Sequence, residues 1–485
     1  MTRRVDLAVV GAGITGLAAA WEAYSHGADV VVLETSSHAG GKLGTSPVAG
    51  VPVDESADAF LARVPDGVEL CAELGIDDEL VAPRSGRAYV WSRSALRPLP
   101  EQQLLGVPTD LEAVAASGIL SPAGLTRARQ DLAGAADGLD AVAGHVAASG
   151  RGNAPQAADG DESVGALVRR RLGDEVNDAL VAPLIGGIWA GDCDRLSLAV
   201  AAPALAEARR RDASLIRGAA AVRATATSPG EPVFLAPRGG MRRLIEALGQ
   251  RLGDRLRLAH PVEALTPRGP SGSHWAIGPT GLAAESVVVA AQAPTTAKLL
   301  WPHAPGAART LADIEHGPVV LVTLAVPRQR IDHPLDGSGF LVPPSTNMLM
   351  TACSWASSKW AHLAGDGSTA ILRVSAGRDG DDRAIRLDDS ELLAALHDDL
   401  RLTIGLHAKP SEVIDHRIGR WHDAFPQPRP GHVHRMAAVE AELTKRTPNL
   451  AAAGAWGGGV GIPACIRAGR RAAATVLDAR SSRAG

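Results

Sequence analysis

Aromatic side chains are scarce in this chain. With 2 Tyr, 4 Phe and 9 Trp they make up 3% of 485 residues, so a slot for any flat ligand has to be walled largely by Leu, Val, Ile and Ala. Cysteine is sparse and scattered: Cys71, Cys193, Cys353 and Cys465 form no CxxC pair. That disfavours a zinc site, a redox dithiol or a secreted disulfide framework and leaves buried thiols of a reducing cytoplasm. Charge of one sign is also missing, and a net charge of −4 with an isoelectric point near 6.4 makes no electrostatic case for a nucleic-acid partner. No run of about 18 apolar residues occurs, so nothing is expected to span a membrane. The first apolar stretch begins at Val5 and holds a glycine turn, which is not the pattern of a signal peptide. Ser-His-Asp and metal-ligand spacings are lacking too, and His432-Val-His434 stands in a Pro/Gly context that reads as an exposed loop. No internal repeat is evident.

What is present is concentrated at the N-terminus. Val5–Val10 runs into Gly11-Ala12-Gly13-Ile14-Thr15-Gly16, then an Ala-rich helix, then Asp29-Val-Val-Val-Leu-Glu34. Strand, glycine turn, helix, strand and acid in that order make a βαβ dinucleotide-binding unit. Gly11 makes the tight turn, Gly13 lets a pyrophosphate approach the backbone, and Gly16 lets the helix pack closely on the sheet. Glu34 can accept hydrogen bonds from ribose hydroxyls and would repel an extra phosphate. Beyond it, Thr35 and Gly40-Gly41-Lys42 supply a second glycine pair and a cation where the pyrophosphate and ribityl chain of FAD would run. A nicotinamide domain usually continues into another Rossmann repeat instead. Gly50–Phe60 reads as a short hairpin and turn of small residues, which allow a backbone to lie against a flat ring.

A chain of this length, 46% hydrophobic, is expected to divide into two or three subdomains. The fold class expected is α/β (α+β overall), with a Rossmann-like cofactor domain assembled from three chain segments, an antiparallel-sheet substrate domain and a helical insertion. Residues 1–80, 216–295 and 416–485 are assigned to the cofactor domain, 81–98 and 296–415 to the substrate domain, and 99–215 to the helical part. Ser163 is the expected N-cap of a helix, after a Gly/Asn/Pro-rich solvent loop at Ala148–Gly160. Near the C-terminus, Asn449–Gly454 is strand-like, and a glycine turn leads through Val460-Gly461-Ile462-Pro463 into a strong helix former. The N–H groups at such a helix start favour negative charge on a reduced flavin.

Over nearly its whole length the chain resembles the bacterial FAD-dependent porphyrinogen oxidases, and among them the coproporphyrinogen III oxidases. The residues that carry the resemblance are Gly11–Gly16, Glu34, Gly40-Gly41-Lys42, Ala57–Arg63, Pro183–Gly191 with Arg195-Leu-Ser-Leu, Gly239-Gly240-Met241, Gly337-Ser-Gly-Phe-Leu-Val-Pro343, Arg420-Trp421 with Phe425-Pro-Gln, and Val460–Pro463. The resemblance implies noncovalent FAD held by Gly11, Ala12, Gly13, Ile14, Thr15, Gly16, Glu34, Thr35, Gly41, Lys42, Ser56, Ala57, Asp58, Ala59, Val262, Trp421, Val460, Gly461 and Ile462. Val262 is expected on a strand beside the adenine. Trp421 is either a wall of the ring system or a core aromatic. The chain departs from the family's Arg-Gly-Pro-Asp-Ser turn with Glu55-Ser56-Ala57-Asp58-Ala59, so backbone contacts are the safer expectation there. Trp456 and Gly457–Gly459 stand where relatives often have an aromatic and an acid.

The implied reaction is a six-electron oxidation of coproporphyrinogen III, with dioxygen as acceptor and hydrogen peroxide released, in a cytoplasmic enzyme of heme synthesis. Protoporphyrinogen IX is the alternative substrate; an amine oxidase or desaturase, and an inactive flavin-bound assembly protein, are the competing readings. No catalytic base is assigned, because positioning and the flavin carry the chemistry. Arg93 and Arg97, or Lys359 and Arg373, are the candidate partners of the propionates. The triplets Arg169–Arg171 and Arg209–Arg211 are expected as polar helix faces. A weak contact with acidic lipid and a transient contact with the next heme-pathway enzyme stay open.

Overall fold

The computed structural model describes residues 3–133, 160–226 and 231–484. The solvent loop expected at Ala148–Gly160 lies outside them apart from Gly160. The apolar run at the N-terminus forms a strand, Arg3–Val10, buried on both faces as a central parallel strand must be. It pairs in parallel with Val30–Leu33 on one side and with Leu282–Val289 on the other. Leu256–Arg257 adds to the outer side of Val30–Leu33. The long strand Leu282–Val289 is shared: its first half pairs antiparallel with His274–Gly278, and its second half pairs in parallel with Leu450–Ala452. With Ala264–Arg268 these make one seven-stranded sheet drawn from three separated parts of the chain, which is the α/β architecture expected.

Side-chain alternation along Arg3–Val10 sends Leu7 and Val9 to one face and Ala8 and Val10 to the other. The first face carries the helix Ile14–Ser25 and, against it, the C-terminal helix Ile462–Ala484. These two helices touch backbone to backbone, since a Cβ at Gly469 would lie 2.0 Å from the Thr15 carbonyl oxygen. The second face is covered by Ala293–Leu300, Pro305–Ala312 and His432–Arg446. Packing onto the cofactor sheet therefore continues past residue 295, because this helix pair presents Ala297, Leu300 and Leu311 to it. His432, expected in an exposed loop, opens a helix and is 2% exposed, with Nε2 against the Trp456 carbonyl at 2.7 Å.

The second sheet also has seven strands, in the order Asp415–Pro426, His316–Pro327, Thr369–Ala376, Met350–Trp355, Gly339–Leu341, Tyr89–Ser92, Ala95–Pro98. All neighbours are antiparallel except Gly339–Leu341 and Tyr89–Ser92. Asp415–Pro426 pairs along most of its length with His316–Pro327, so this sheet extends beyond residue 415. One face is closed by the helix Asp389–Ile404, with Val320, Val322, Leu372 and Val374 packed on Leu396 and Leu400. The other face turns toward the cofactor sheet.

Helices from Leu111–Ser117 to Leu215–Ala226 surround a third core that includes Leu167, Ile185 and Leu205. Ser163 caps its helix as expected, its Oγ accepting from the Ala166 N–H at 3.1 Å. The arginine triplets are tied into ion pairs: Arg169 reaches Asp174, Asp178 and Asp194, while Arg170 and Arg209 share Glu162. No helix among the described residues is long and apolar enough to cross a membrane.

Candidate functional site

The three glycines of the first turn have three different surroundings. Gly11 has φ +101°, and a Cβ there would stand 2.6 Å from the Ala290 carbonyl oxygen, so the turn closes on the neighbouring strand. A Cβ at Gly16 would be 2.0 Å from the Gly11 oxygen, so the helix lies on the turn itself. At Gly13 a Cβ would meet nothing within 4 Å. That open ground faces the start of Ile14–Ser25, which has no side-chain cap, so its first N–H groups can serve an anion. Ala12, Ile14 and Thr15 are buried, which leaves their backbone as the part a ligand could reach. Glu34 reaches back to this turn: its carboxylate accepts from the Ala12 N–H at 2.7 Å and the Ser36 N–H at 2.9 Å. Thr35 beside it is exposed. The second glycine pair closes over the first, with the Gly40 N–H donating to the Ala12 oxygen at 2.8 Å and a Gly41 Cβ position 3.3 Å from Gly13 Cα.

Lys42 follows, and its ammonium donates to the carbonyls of Asp423 and Ala424 on the second sheet. Burial pulls its pKa down, partly countered by Cys465 and Asp423. Trp421 lies on that same strand, two residues before Asp423, half-buried and paired with Val319. The turn Ser56–Ala59 is fastened on the other side. Asp58 is held by Lys359 Nζ at 3.0 Å, Arg373 at 3.0 Å and Trp360 Nε1 at 3.1 Å, and Arg373 also donates to the Ser56 carbonyl. Burial alone would raise the Asp58 pKa, but the two cations hold it well below the usual carboxylate range. The Asp58 side chain is thus occupied within the protein.

Val460, Gly461 and Ile462 form the end of the C-terminal turn and the start of the last helix. Val460 packs on the helical core. Val262 lies in an irregular connection just before the strand Ala264–Arg268 rather than on a strand. Residues after Arg257 leave the sheet because Ala259 takes a positive φ, and its N–H is bound by the Ser36 carbonyl. Trp456 is a core aromatic, 5% exposed, donating through Nε1 to the Ala291 carbonyl at 3.0 Å.

Paired residues of a sheet share a face. The register therefore places Leu321, Ser375 and Ala352 in one row, with Leu341 next to Ala352 and Trp421 at the far edge beside Val319. All six are half-buried and point away from the core under Asp389–Ile404. The helix Ala182–Trp189 stands opposite: a Cβ at Gly187 would be 3.5 Å from Leu341 Cδ2, and Ile188 is 45% exposed. This helix is fixed to the sheet, since Gln427 Nε2 donates to the Trp189 carbonyl at 2.9 Å and the Asp379 N–H to the Ala190 carbonyl at 2.7 Å. The result is a candidate cleft between an apolar sheet wall and a small-residue helix wall, joined to the glycine turns of the first sheet through Lys42 and Ser56.

Three residues expected to offer charge to a substrate, Lys359, Arg373 and Arg97, are engaged elsewhere, Arg373 in its pairing with Asp58. Lys359 closes the short helix Ala356–Lys359, and its ammonium is bound to Asp58 at 3.0 Å. Arg97 lies on the outermost strand, its Nε donating to the Ser92 carbonyl at 3.2 Å and its guanidinium pressed on Gly118. Arg93 is exposed at the hairpin tip, near the Leu120 carbonyl. From Trp421 to this hairpin is six strand spacings, about 29 Å. The residues that sequence reasoning missed are Leu321, Leu341, Ala352 and Ser375, together with Asp54, which accepts from Thr45 Oγ1 at 2.6 Å and the Met241 N–H at 2.8 Å and so seats the helix Arg242–Leu252 beside the hairpin. Period-two alternation marks such strand positions as a class, but only the register says which ones align. Among the described residues no cluster of His, Cys, Asp or Glu is arranged to hold a metal.

Comparison with known proteins agrees with this geometry. The model of flavin containing amine oxidoreductases matches residues 14–477. Coproporphyrinogen III oxidase of Propionibacterium freudenreichii subsp. freudenreichii is 34% identical over 98% of this chain and 91% of its own length. The enzyme of the same name from Bacillus subtilis (strain 168) is 30% identical over 97% of both chains. A solved structure from Exiguobacterium sp. 255-15, whose protein bears a provisional protoporphyrinogen oxidase name, superposes with a TM-score of 0.81 at 26% identity, covering 99% of each chain. Matched by the family model over residues 14–477 and by such relatives nearly from end to end, the chain belongs to the flavin containing amine oxidoreductases, in the group of the coproporphyrinogen III oxidases.

Proposed function

We propose that the protein is a FAD-dependent oxidase that converts coproporphyrinogen III to coproporphyrin III, with dioxygen as the electron acceptor and hydrogen peroxide as the second product. The observation that carries this reading is the end-to-end likeness to coproporphyrinogen III oxidases, in a chain whose cofactor turns and apolar cleft are both complete. FAD fits the residues present. Gly13 and Gly458 both offer open ground where a Cβ would meet nothing within 4 Å, Glu34 stands at the turn with acceptor oxygens for a ribose, and the start of the last helix adds a second set of N–H groups. Noncovalent attachment is supported by the four cysteines, all buried as free thiols, with Cys465 Sγ directed at the Gly459 carbonyl.

When bound, FAD supplies the two-electron chemistry, used three times for the six electrons that separate porphyrinogen from porphyrin. The chain's part is to bind, orient and keep out water. Leu321, Leu341 and Ala352 give the macrocycle an apolar face, and Ser375 Oγ is bonded to Thr351 Oγ1 at 3.0 Å. None of these groups is a base. Positioning is therefore the main contribution of this wall. Lys42 and Trp421 close the edge next to the cofactor turn, and Asp58 keeps the Ser56–Ala59 backbone flush with the sheet. A cytoplasmic location suits the water-soluble, four-carboxylate substrate.

Aerobic incubation of the FAD-loaded protein with coproporphyrinogen III and, separately, with protoporphyrinogen IX tests the reading by porphyrin fluorescence and peroxide assay. Coproporphyrin should form faster than protoporphyrin, with about three peroxides per porphyrin. No porphyrin above the protein-free control would overturn the proposal, and faster protoporphyrin formation would move the substrate assignment.

A further inference from the structure

The cations first considered for a substrate carboxylate are engaged or distant, yet a tetracarboxylate needs at least one receptor. Arg378 has the properties of one. It follows the cleft-facing strand: Ser375 is in the row with Leu321 and Ala352, and Gly377, at φ +86°, turns the chain so tightly around the neighbouring strand that a Cβ there would be 2.9 Å from the Pro318 carbonyl oxygen. The next amide, that of Asp379, is bonded to the Ala190 carbonyl just past the helix Ala182–Trp189. Arg378 is therefore at the seam where the two walls of the cleft meet.

Its guanidinium is half-buried and makes no hydrogen bond or ion pair among the described residues, although its backbone pairs with Asp381. The carboxylates nearby are spoken for. Asp379 is taken by Arg195 and Arg429, each at 2.9 Å, and Asp381 is gripped by Arg383 through two bonds of 2.9 and 2.8 Å. Asp192 accepts the Asp194 N–H at 2.9 Å, and its own burial raises its pKa. Burial weighs against the charge of Arg378 more than Asp381 and Asp192 support it. A planar guanidinium with free donors, little water and no carboxylate bonded to it among the described residues is a receptor for a carboxylate that arrives from outside.

We propose that Arg378 binds a propionate carboxylate of the porphyrinogen at the seam between the sheet and the helix Ala182–Trp189, and so sets how the macrocycle lies over the sheet wall. This rests on the functional reading above. The test uses the full-length, FAD-loaded protein and its Arg378→Met variant, with flavin content and Tm measured first. The KM for coproporphyrinogen III should rise about tenfold with kcat within about a factor of two, as expected for a contact made equally in ground and transition states. Wild type should bind coproporphyrin III more tightly than its uncharged tetra-amide, and the variant should lose part of that preference; Arg378→Lys should recover part of the KM. Should Arg378→Met fail to hold flavin, Arg378→Gln replaces it, with the same expectation. A neutral variant with wild-type flavin content and unchanged KM and binding preference overturns the role of Arg378 while leaving the functional reading intact. A wild-type protein inert toward both porphyrinogens overturns that reading, and this inference with it.

Discussion

A side chain at position 13 has room in the protein and none beside a pyrophosphate. The backbone at Gly13, φ −70° and ψ 171°, is open to any residue. Gly13→Val should accordingly leave the Tm within a few degrees of wild type and abolish flavin retention, read by absorbance after gel filtration with excess FAD. Near-normal flavin in that variant would reject the turn as the pyrophosphate site. Asp58 is a case of the opposite kind, a side chain that serves the protein and not the ligand. Asp58→Asn leaves Lys359 and Arg373 with uncompensated charge beneath side-chain exposures of 16% and 6%, a loss expected to cost about 3–5 kcal/mol in chemical denaturation. Because the folded carboxyl titrates below its unfolded value of about 3.9, its contribution is complete above that pH and fades as the pH falls through the folded value. Wild type should therefore lose stability on acidification below about pH 4 more steeply than Asp58→Asn. Equal slopes would show that Asp58 does not carry this charge.

Among elements, close approach and register decide more than propensity does. The last helix can lie on Ile14–Ser25 only because position 469 has no side chain, so Gly469→Leu should force the pair apart, cost roughly 1–3 kcal/mol and weaken FAD retention by displacing the helix start at Ile462. A wild-type Tm and flavin content would show that the helices pack otherwise. The hairpin Tyr89–Ser92 and Ala95–Pro98 belongs to the sheet but sits at its outer edge, with Val90 packed into the helical core and Arg97 bonded within the hairpin. Arg97→Ala should leave the KM for coproporphyrinogen III within about a factor of two, since the structural contact it loses is not a substrate contact. A KM raised tenfold would return Arg97 to the substrate's surroundings.

At the scale of the molecule, a cofactor domain made from distant pieces depends on all of them. Leu450–Ala452 and the helix after it provide a sheet strand, a packing partner for the first helix and the N-terminus proposed to face the cofactor. Much of this was legible in the residues. The βαβ unit needs only local order, with apolar residues for a buried strand, glycines where backbones meet and an acid at the next strand end, and all of these lie within Val5–Glu34. The N-cap at Ser163 was equally local. Partnerships were not. Lys359 looked like a free cation because Asp58, its partner, is 301 residues away in the chain. His432 looked like a loop residue because the Trp456 carbonyl that fills its ring nitrogen belongs to another element.

The sequence by itself determined the cofactor class and the three-part cofactor sheet, since each rests on short-range pattern and backbone sterics, whereas Asp415–Pro426 joins the second sheet only through its pairing with His316–Pro327. Only the tertiary structure decided which strand faces line the cleft, which cations are already paired and that Arg378 is not. Those are properties of register and of burial, and both depend on residues that the chain brings together from hundreds of positions apart.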